Sequence, residues 1–323
     1  MTTAYITHPR YVDHDIPGHP EHAGRIRAVW KALDEAGLTD RMQAIEPVPA
    51  TDEHILSVHT AQYLDVLRQI ERNEHAVRFD MDTYALPQTP AVARLSAGGV
   101  VQAVDAVLTG QADNALAAVR PPGHHAIPER AMGFCYLGNV AMAARHAQRA
   151  HGLERVLIVD YDVHHGNGTQ DIFYDDDSVL FFSTHQHPYY PGTGAMDEIG
   201  GGKGRGYTVN VPLGAGHSDD DYNHIFNDVL WPLARRFRPQ LVLVSAGFDA
   251  HWDDPLAMMR LSLNGFSRLD RQLIRLAGEL CNGRIVFVLE GGYNLKVLAH
   301  GTANIARTLL GDNTTHDPFG QAS

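Results

Sequence analysis

Four short apolar runs, each stopped by a polar or glycine-rich segment, set the frame of this 323-residue chain: Leu116-Ala-Ala-Val119, Val156-Leu-Ile-Val159, Leu241-Val-Leu-Val244 and Ile285-Val-Phe-Val-Leu289. They are continuously apolar rather than alternating, which is the pattern of strands buried on both faces of a parallel sheet. Helical spacing fills the intervals. A loop from His19 to Arg27 leads into a helix that ends at Gly37, and residues 53–70 carry Ile55, Val58, Tyr63, Val66 and Leu67 at near-helical spacing. Further helices are predicted from Pro90 to Leu108 and from Asn139 to His151, and a strand from Tyr207 to Val211 after the glycine-rich turn Gly200 to Gly206. Strands and helices alternate, so the expectation is an α/β fold: a mainly parallel central sheet with helices on both faces. No repeat or long linker interrupts it. Residues 1–323 are therefore read as one domain, with a tail from about residue 312 expected to fray.

The segments that stop the runs carry the chemistry. They are Arg120-Pro-Pro-Gly-His-His125, Asp160-Tyr-Asp-Val-His-His-Gly-Asn167, Ser245-Ala-Gly-Phe-Asp249 and Glu290-Gly-Gly-Tyr-Asn294. In open α/β sheets, ligands bind outside the carboxyl ends of the strands, so these loops point toward one active site there. Asp162 and His164 are two apart in an extended segment and face the same way. Asp249 arrives from another strand end. One imidazole and two carboxylates leave a position open on a tetrahedral ion, as a catalytic site requires. Zn²⁺ leads among the candidates, with Fe²⁺, Co²⁺ and Mn²⁺ left open. Two carboxylates also cancel the ion's charge, so bound water is expected to be less acidic than the roughly pH 7 value of a three-histidine site. A protein base is then needed. His124 and His125 supply it if Asp160 and Asn167 orient them. Tyr293, following Gly291 and Gly292, is placed to donate its hydroxyl to a substrate carbonyl.

Composition narrows the classes. With 44% hydrophobic and 20% charged residues the chain reads as an ordinary globular protein, and no run approaches the ~18 consecutive apolar residues of a membrane helix. The N-terminus has no basic start followed by an apolar segment, so the cytoplasm is the expected compartment. A net charge of −12 argues against nucleic-acid binding and is compatible with cationic substrates. Cys135 and Cys281 are too few for a disulfide framework or a cysteine metal site. Twenty histidines exceed what one site uses, and His8, His14, His54, His59, His75, His146, His151, His217 and His300 are assigned to surface or structural roles.

These motifs resemble the zinc-dependent histone deacetylases and their bacterial relatives, which include acetylpolyamine amidohydrolases and acetoin-utilisation proteins; the wording of the His-His and Asp-x-His segments is closest to the class II branch. The resemblance runs from about His19 to Asn294 and beyond. It implies the arginase/deacetylase fold and a deacetylase, an amidohydrolase acting on acetylated amines through metal-activated water. On the matching positions it implies one zinc on Asp162, His164 and Asp249, acid/base work by His124 and His125, and carbonyl activation by Tyr293. It also implies a tunnel for the acyl chain lined by Gly133, Phe134 and Gly292, and Arg25 in an inner acetate channel. Potassium is implied at Asp160, Asp162, His164, Ser183 and Thr184, and again at Phe173, Asp176, Val179 and Tyr207. Where relatives place a second tunnel phenylalanine this chain has Tyr190, which still stacks on a methylene chain. Asp82 falls at the rim.

The substrate is expected to be acetyl-lysine, or a related acyl-lysine, in a peptide or protein. Polyamine-specific relatives carry a glutamate after the Asp-Pro dipeptide downstream of Gly-Phe-Asp, and Leu256 stands there in this chain. Small acetylated amines, polyamines included, are the alternative. An arginase-like ureohydrolase would need paired metals and a further Asp-x-Asp after Asp249, and a non-catalytic acetyl-ligand binder would be expected to lack a ligand or the tyrosine. Homo-oligomerisation is left open.

Overall fold

A computed structural model describes residues 1–321. Its strands are β1 (Thr3–Ile6), β2 (Gln43–Ile45), β3 (Val77–Arg78), β4 (Tyr84–Ala85), β5 (Asn114–Ala117), β6 (Val156–Asp160), β7 (Val179–Gln186), β8 (Thr208–Leu213), β9 (Leu241–Ala246) and β10 (Ile285–Leu289). Eight of them form one sheet in the order β2-β1-β5-β10-β9-β6-β7-β8, every neighbour parallel, while β3 and β4 make a small antiparallel hairpin. Strands β5, β6, β7, β9 and β10 are buried at every residue, which explains why their sequences do not alternate. The chain leaves β5, skips two sheet positions and enters β6. β10 and β9 later fill the gap. The loops after β5, β6, β9 and β10 therefore leave the same end of adjacent strands, at a reversal of strand order where α/β sheets open a crevice.

Local expectations hold for the helix Asn139–His151, closed by Gly152 in the left-handed region, and for Thr89–Leu108. By length and composition Thr89–Leu108 would suffice to cross a membrane, yet it is a core helix, 72% buried against the protein. Two expectations change. The periodic stretch 53–70 is two helices, Asp52–Leu56 and Ala61–Glu71, because Thr60 turns extended and caps the second through Tyr63 N–H. Between them, Thr60 N–H donates to Pro128 O, and His59 Nε2 accepts from Gly138 N–H, tying the break to the loop that carries the tunnel residues. Val66 lies on the exposed side. The β5 strand sits two residues earlier than its apolar run, since its pairing with β1 ends at Ile6 and Ala117. The segment after Gly311, expected to fray, lies back on the molecule: Asn304 exchanges hydrogen bonds with His316, and Trp252 Nε1 donates to Gly320 O.

Beneath the end of β6, the helix Leu263–Leu280 buries Asp270 completely. Its Oδ1 accepts from Tyr161 OH at 2.9 Å and its Oδ2 has no partner among the described residues. Burial pushes its pKa up to about 7 against the lesser pull of the Tyr161 hydroxyl. The folded state thus binds a proton that the unfolded chain releases near pH 4. This contribution to stability is complete below that value and is lost as pH rises through about 7. Asp270→Asn is expected to be more stable than wild type at pH 8, by on the order of a few kcal/mol at most, with the advantage gone below about pH 4. Denaturant unfolding at the two pH values checks it, and an advantage independent of pH would refute it.

Candidate active site

The site is assembled from buried acids and the groups that hold them. Asp162 and Asp249 have no exposed surface, and His164 stands between them with Nδ1 at 3.3 Å from Asp162 Oδ1 and 3.2 Å from Asp249 Oδ2. One donor atom from each of the three lies within 4.8 Å of the others. The outer lone pairs are already used: Asp162 Oδ2 accepts from Gly291 N–H at 2.8 Å and Asp249 Oδ1 from Val163 N–H at 2.9 Å. Burial opposes a charge on His164, but the two carboxylates outweigh it and hold the ring protonated up to about 10. That proton stands where a cation would. Two glycines keep the space open, since a Cβ on Gly247 would lie 2.0 Å from Asp162 Oδ2, and one on Gly291 would lie 2.3 Å from Asp249 Oδ2 and 2.5 Å from Asp162 Oδ2. Two buried carboxylates, one imidazole and a cradle that a methyl group would fill fit a divalent ion.

The tandem histidines sit beside this cluster with ring centroids 4.0 Å apart. His124 Nδ1 meets Asp160 Oδ2 at 3.0 Å, and His125 Nδ1 meets Asn167 Oδ1 at 2.8 Å, a pairing the sequence left unspecified. Those partners split the pair. Burial disfavours charge on both, but Asp160 and then Asp162 reverse it for His124, whose pKa rises to about 10. His125 stays neutral, driven well below its ordinary value by burial and by the positive charge of His124 and His164.

A cavity of about 250 Å³ leads to these groups, lined by Asp82, His125, Gly133, Phe134, His164, Tyr189, Tyr190, Leu256 and Tyr293. The proposed tunnel residues other than Gly292 thus converge. Gly133 and Phe134 both adopt positive φ, and a Cβ on Gly133 would come within 2.4 Å of the His125 ring. Such a backbone is costly for phenylalanine and concentrates at functional sites. Tyr190 is edge-on to His125 at 5.2 Å. Gly292, at φ +115°, lies behind the cavity and lets the loop turn Tyr293 inward. Arg25 donates to Gly292 O at 2.8 Å, Glu290 O at 2.6 Å and Glu21 Oε1 at 3.0 Å, and its guanidinium lies over the Tyr293 ring at 5.1 Å.

Of the residues expected at potassium, Asp160 is register neighbour to Ser183, and Thr184 Oγ1 is buried without a hydrogen-bond partner among the described residues. In the other set, the Asp176 carboxylate is paired with Arg145 at 2.5 Å.

Four contributors escaped the sequence reading. Glu290 fixes the His-His loop by accepting from Gly123 N–H and His124 N–H at 2.7 and 3.2 Å. Glu21 is buried between Arg25 and Arg120, and these cations lower its pKa to about 2 although burial works to raise it. Asp254 accepts from Tyr293 N–H, Asn294 N–H and Leu256 N–H, so its carboxylate braces the tyrosine loop. Tyr189 stacks on His164 at 5.8 Å and donates to Leu256 O. Only Glu290 had a usable signal, a carboxylate at a buried strand end next to two glycines.

The sequence profile of the histone deacetylase domain matches residues 19–309. The chain belongs to the histone deacetylase family. It is similar to histone deacetylase 14, chloroplastic, of Arabidopsis thaliana (42% identity, 95% of this chain and 76% of the relative) and to the histone deacetylase-like amidohydrolase of Pseudomonas aeruginosa (43%, 86% and 73%). It also matches polyamine deacetylase HDAC10 of Mus musculus at 44% identity, over 90% of this chain and 45% of that relative. The crystal structure of the HDA15 HD domain shares the fold with a TM-score of 0.92 at 41% identity, covering 96% of this chain and 90% of that one. Membership in the histone deacetylase family places the chain among metal-dependent deacetylases and leaves the choice of amine to its own residues.

The glycine cradle gives a test of the cluster. Gly291→Ala places a methyl group against both acids and should weaken metal binding by more than the roughly 10–100-fold typical of losing an outer partner, with activity falling in parallel. Metal content and circular dichroism are the readouts. A folded variant with full metal occupancy would remove Gly291 from the argument.

Proposed function

We propose that the protein is a zinc-dependent deacetylase that removes acetyl or related acyl groups from the lysine side-chain amine of peptides or proteins. The observation that carries this reading is the convergence, at one cavity, of the Asp162-His164-Asp249 cluster, a split histidine pair and Tyr293 behind aromatic walls. Asp162, His164 and Asp249 would hold the ion, which would supply Lewis acidity toward the scissile carbonyl and a more acidic water. Nitrogen with two carboxylates and an open position suits Zn²⁺. The aromatic rings of Phe134, Tyr189 and Tyr190 hold the methylene chain and keep bulk water out. His125, neutral and fixed through Asn167, accepts the proton of the attacking water. The protonated member of the pair returns a proton to the nitrogen as the amide C–N bond breaks, so acetate and a free amine leave. Tyr293 donates to the carbonyl oxygen as negative charge develops on it. A potassium ion held by Asp160, Asp162, His164, Ser183 and Thr184 rests on the family resemblance, with Asp160 and Ser183 as register neighbours.

The choice of lysine rests on the cavity mouth. Leu256 lines it and offers no charge to a distant ammonium, while Asp254 next to it is nearly buried with both oxygens engaged by backbone N–H groups. Asp253 is exposed, and one of its carboxylate oxygens accepts from the Asn294 side-chain amide. Asp82 is the acid that remains at the rim.

Tyr293→Phe should lower kcat by roughly 10² to 10³, the usual loss for an oxyanion donor, with metal content unchanged; an unaltered kcat would make the hydroxyl structural. In the native enzyme, kcat/KM should favour an acetyl-lysine peptide over acetylspermidine and acetylputrescine, and Leu256→Glu should shift the ratio toward the polyamines. Preference of the unmodified enzyme for either polyamine would overturn the lysine reading while leaving the deacetylase intact.

A further inference from the structure

Three histidines given surface or structural roles from sequence gather far along the fold from the sheet's catalytic loops. His146 and His151, on the helix Asn139–His151, both aim Nε2 at one oxygen of Asp105, at 2.7 and 2.6 Å. Asp105 sits in the last turn of the helix Thr89–Leu108, so the three side chains tie together the C-terminal parts of two packed helices. One donor atom from each lies within 4.8 Å of the others. The two imidazoles are mostly buried, at 15% and 19% exposure, whereas the carboxylate is 42% exposed and keeps a side open to water. His54, from the short helix Asp52–Leu56, packs edge-on against His146 with centroids 5.2 Å apart. Its Nδ1 accepts from Thr51 N–H, which leaves Nε2 as its free ligand atom. A cavity of about 250 Å³ lined by His54, His146, Glu53 and Arg149 adjoins the cluster.

We propose that Asp105, His146 and His151 form a second metal site, for a divalent transition-metal ion such as Zn²⁺, separate from the catalytic cluster. Without an ion, one carboxylate oxygen must receive two imidazole N–H groups, which fixes both rings with a proton on Nε2. When a divalent ion binds, each ring keeps its one proton but carries it on Nδ1 instead of Nε2, the exchange passing through solvent. Each neutral ring then presents its Nε2 lone pair and the carboxylate supplies a negative oxygen, leaving a fourth position to water or to His54. Two imidazoles select a transition ion over Mg²⁺ or Ca²⁺, which prefer all-oxygen sets. Ligand atoms around a tetrahedral ion with bonds of about 2.0 to 2.1 Å stand roughly 3.3 Å apart. The nitrogens therefore have to withdraw from Asp105 by well under an ångström, which side-chain rotation provides. The ion would act as a clamp between helices, stabilising the folded state by binding it and not the unfolded chain.

The experiment separates this site from the catalytic one by starting from Asp162→Asn/Asp249→Asn protein. Stripped of metal and titrated with Co²⁺, this protein should still bind one ion per chain with the visible absorption of a low-symmetry nitrogen and oxygen site, and Zn²⁺ should raise its Tm. Adding His146→Ala/His151→Ala should abolish both signals. In the otherwise wild-type chain, His146→Ala/His151→Ala and Asp105→Asn should each lose one Zn²⁺ per chain relative to wild type while deacetylase activity stays within about twofold, activity serving as the check of folding. Asp105→Asn, which nearly preserves shape, decides the matter if the double histidine variant fails to fold. Unchanged metal content in an active variant, or no Co²⁺ bound in the Asp162→Asn/Asp249→Asn protein, would overturn the proposal.

Discussion

Burying carboxylates is the constraint around which this site is built. Glu21, Asp160, Asp162, Asp249 and Glu290 each expose at most 1% of their surface, and an acid taken that far out of water must be neutralised or compensated. Each is compensated differently. Glu21 is clamped by Arg25 and Arg120, Asp160 by the His124 ring, and Glu290 by the backbone N–H groups of Gly123 and His124. Asp162 and Asp249 share His164 and receive one backbone N–H each on their outer oxygens, which leaves negative charge facing inward. The first three acids hold loops; the last two are left with a site for a cation.

That division links chemistry to architecture. The loops carrying the candidate catalytic groups come from four strands, and these charged anchors tie one loop to another. Arg25 is the connecting element, because one guanidinium holds two carbonyls of the Gly-Gly-Tyr loop, the buried Glu21 and the face of Tyr293. Through Glu21 it reaches Arg120, the residue that begins the His-His loop. Tyr293 and the His124-His125 pair are thus positioned by one ion-pair network, and close glycine contacts at Gly247 and Gly291 fix the acidic cluster between them.

Residues whose role follows from their place on a strand were legible in the sequence. Asp162, His164, Asp249, His124 and His125 follow apolar runs directly, and knowing that the runs are parallel is enough to bring them to one end. Glu21 and Asp254 were not legible. Glu21 meets a partner 99 positions away, and Asp254 accepts from Tyr293 N–H 39 positions on, pairings that no local pattern announces. The break at Thr60 was hidden for a related reason: hydrophobic spacing continues across it, while the force that interrupts the helix comes from Pro128 O and Gly138 N–H. The tail after Gly311 looked unsupported because its anchors, Asn304 and Trp252, belong to distant segments.

The mouth shows how the same network bears on selectivity. An acid near a tunnel attracts a distant ammonium only if its oxygens are free to face solvent. Asp254 uses both to hold backbone N–H groups of Leu256, Tyr293 and Asn294, and burial pushes its pKa up to about 7, so its charge is weakest where an ammonium would need it. The carboxylate that braces the Tyr293 loop is thereby turned away from the mouth. The apolar side chain of Leu256, two residues further on and fixed by the Tyr189 hydroxyl at its carbonyl, lines the cavity instead. On the proposed lysine reading, a side chain ending in neutral peptide backbone brings no second charge to that mouth, whereas a polyamine's second ammonium would have to exchange hydration for the exposed carboxylate of Asp82 at the rim.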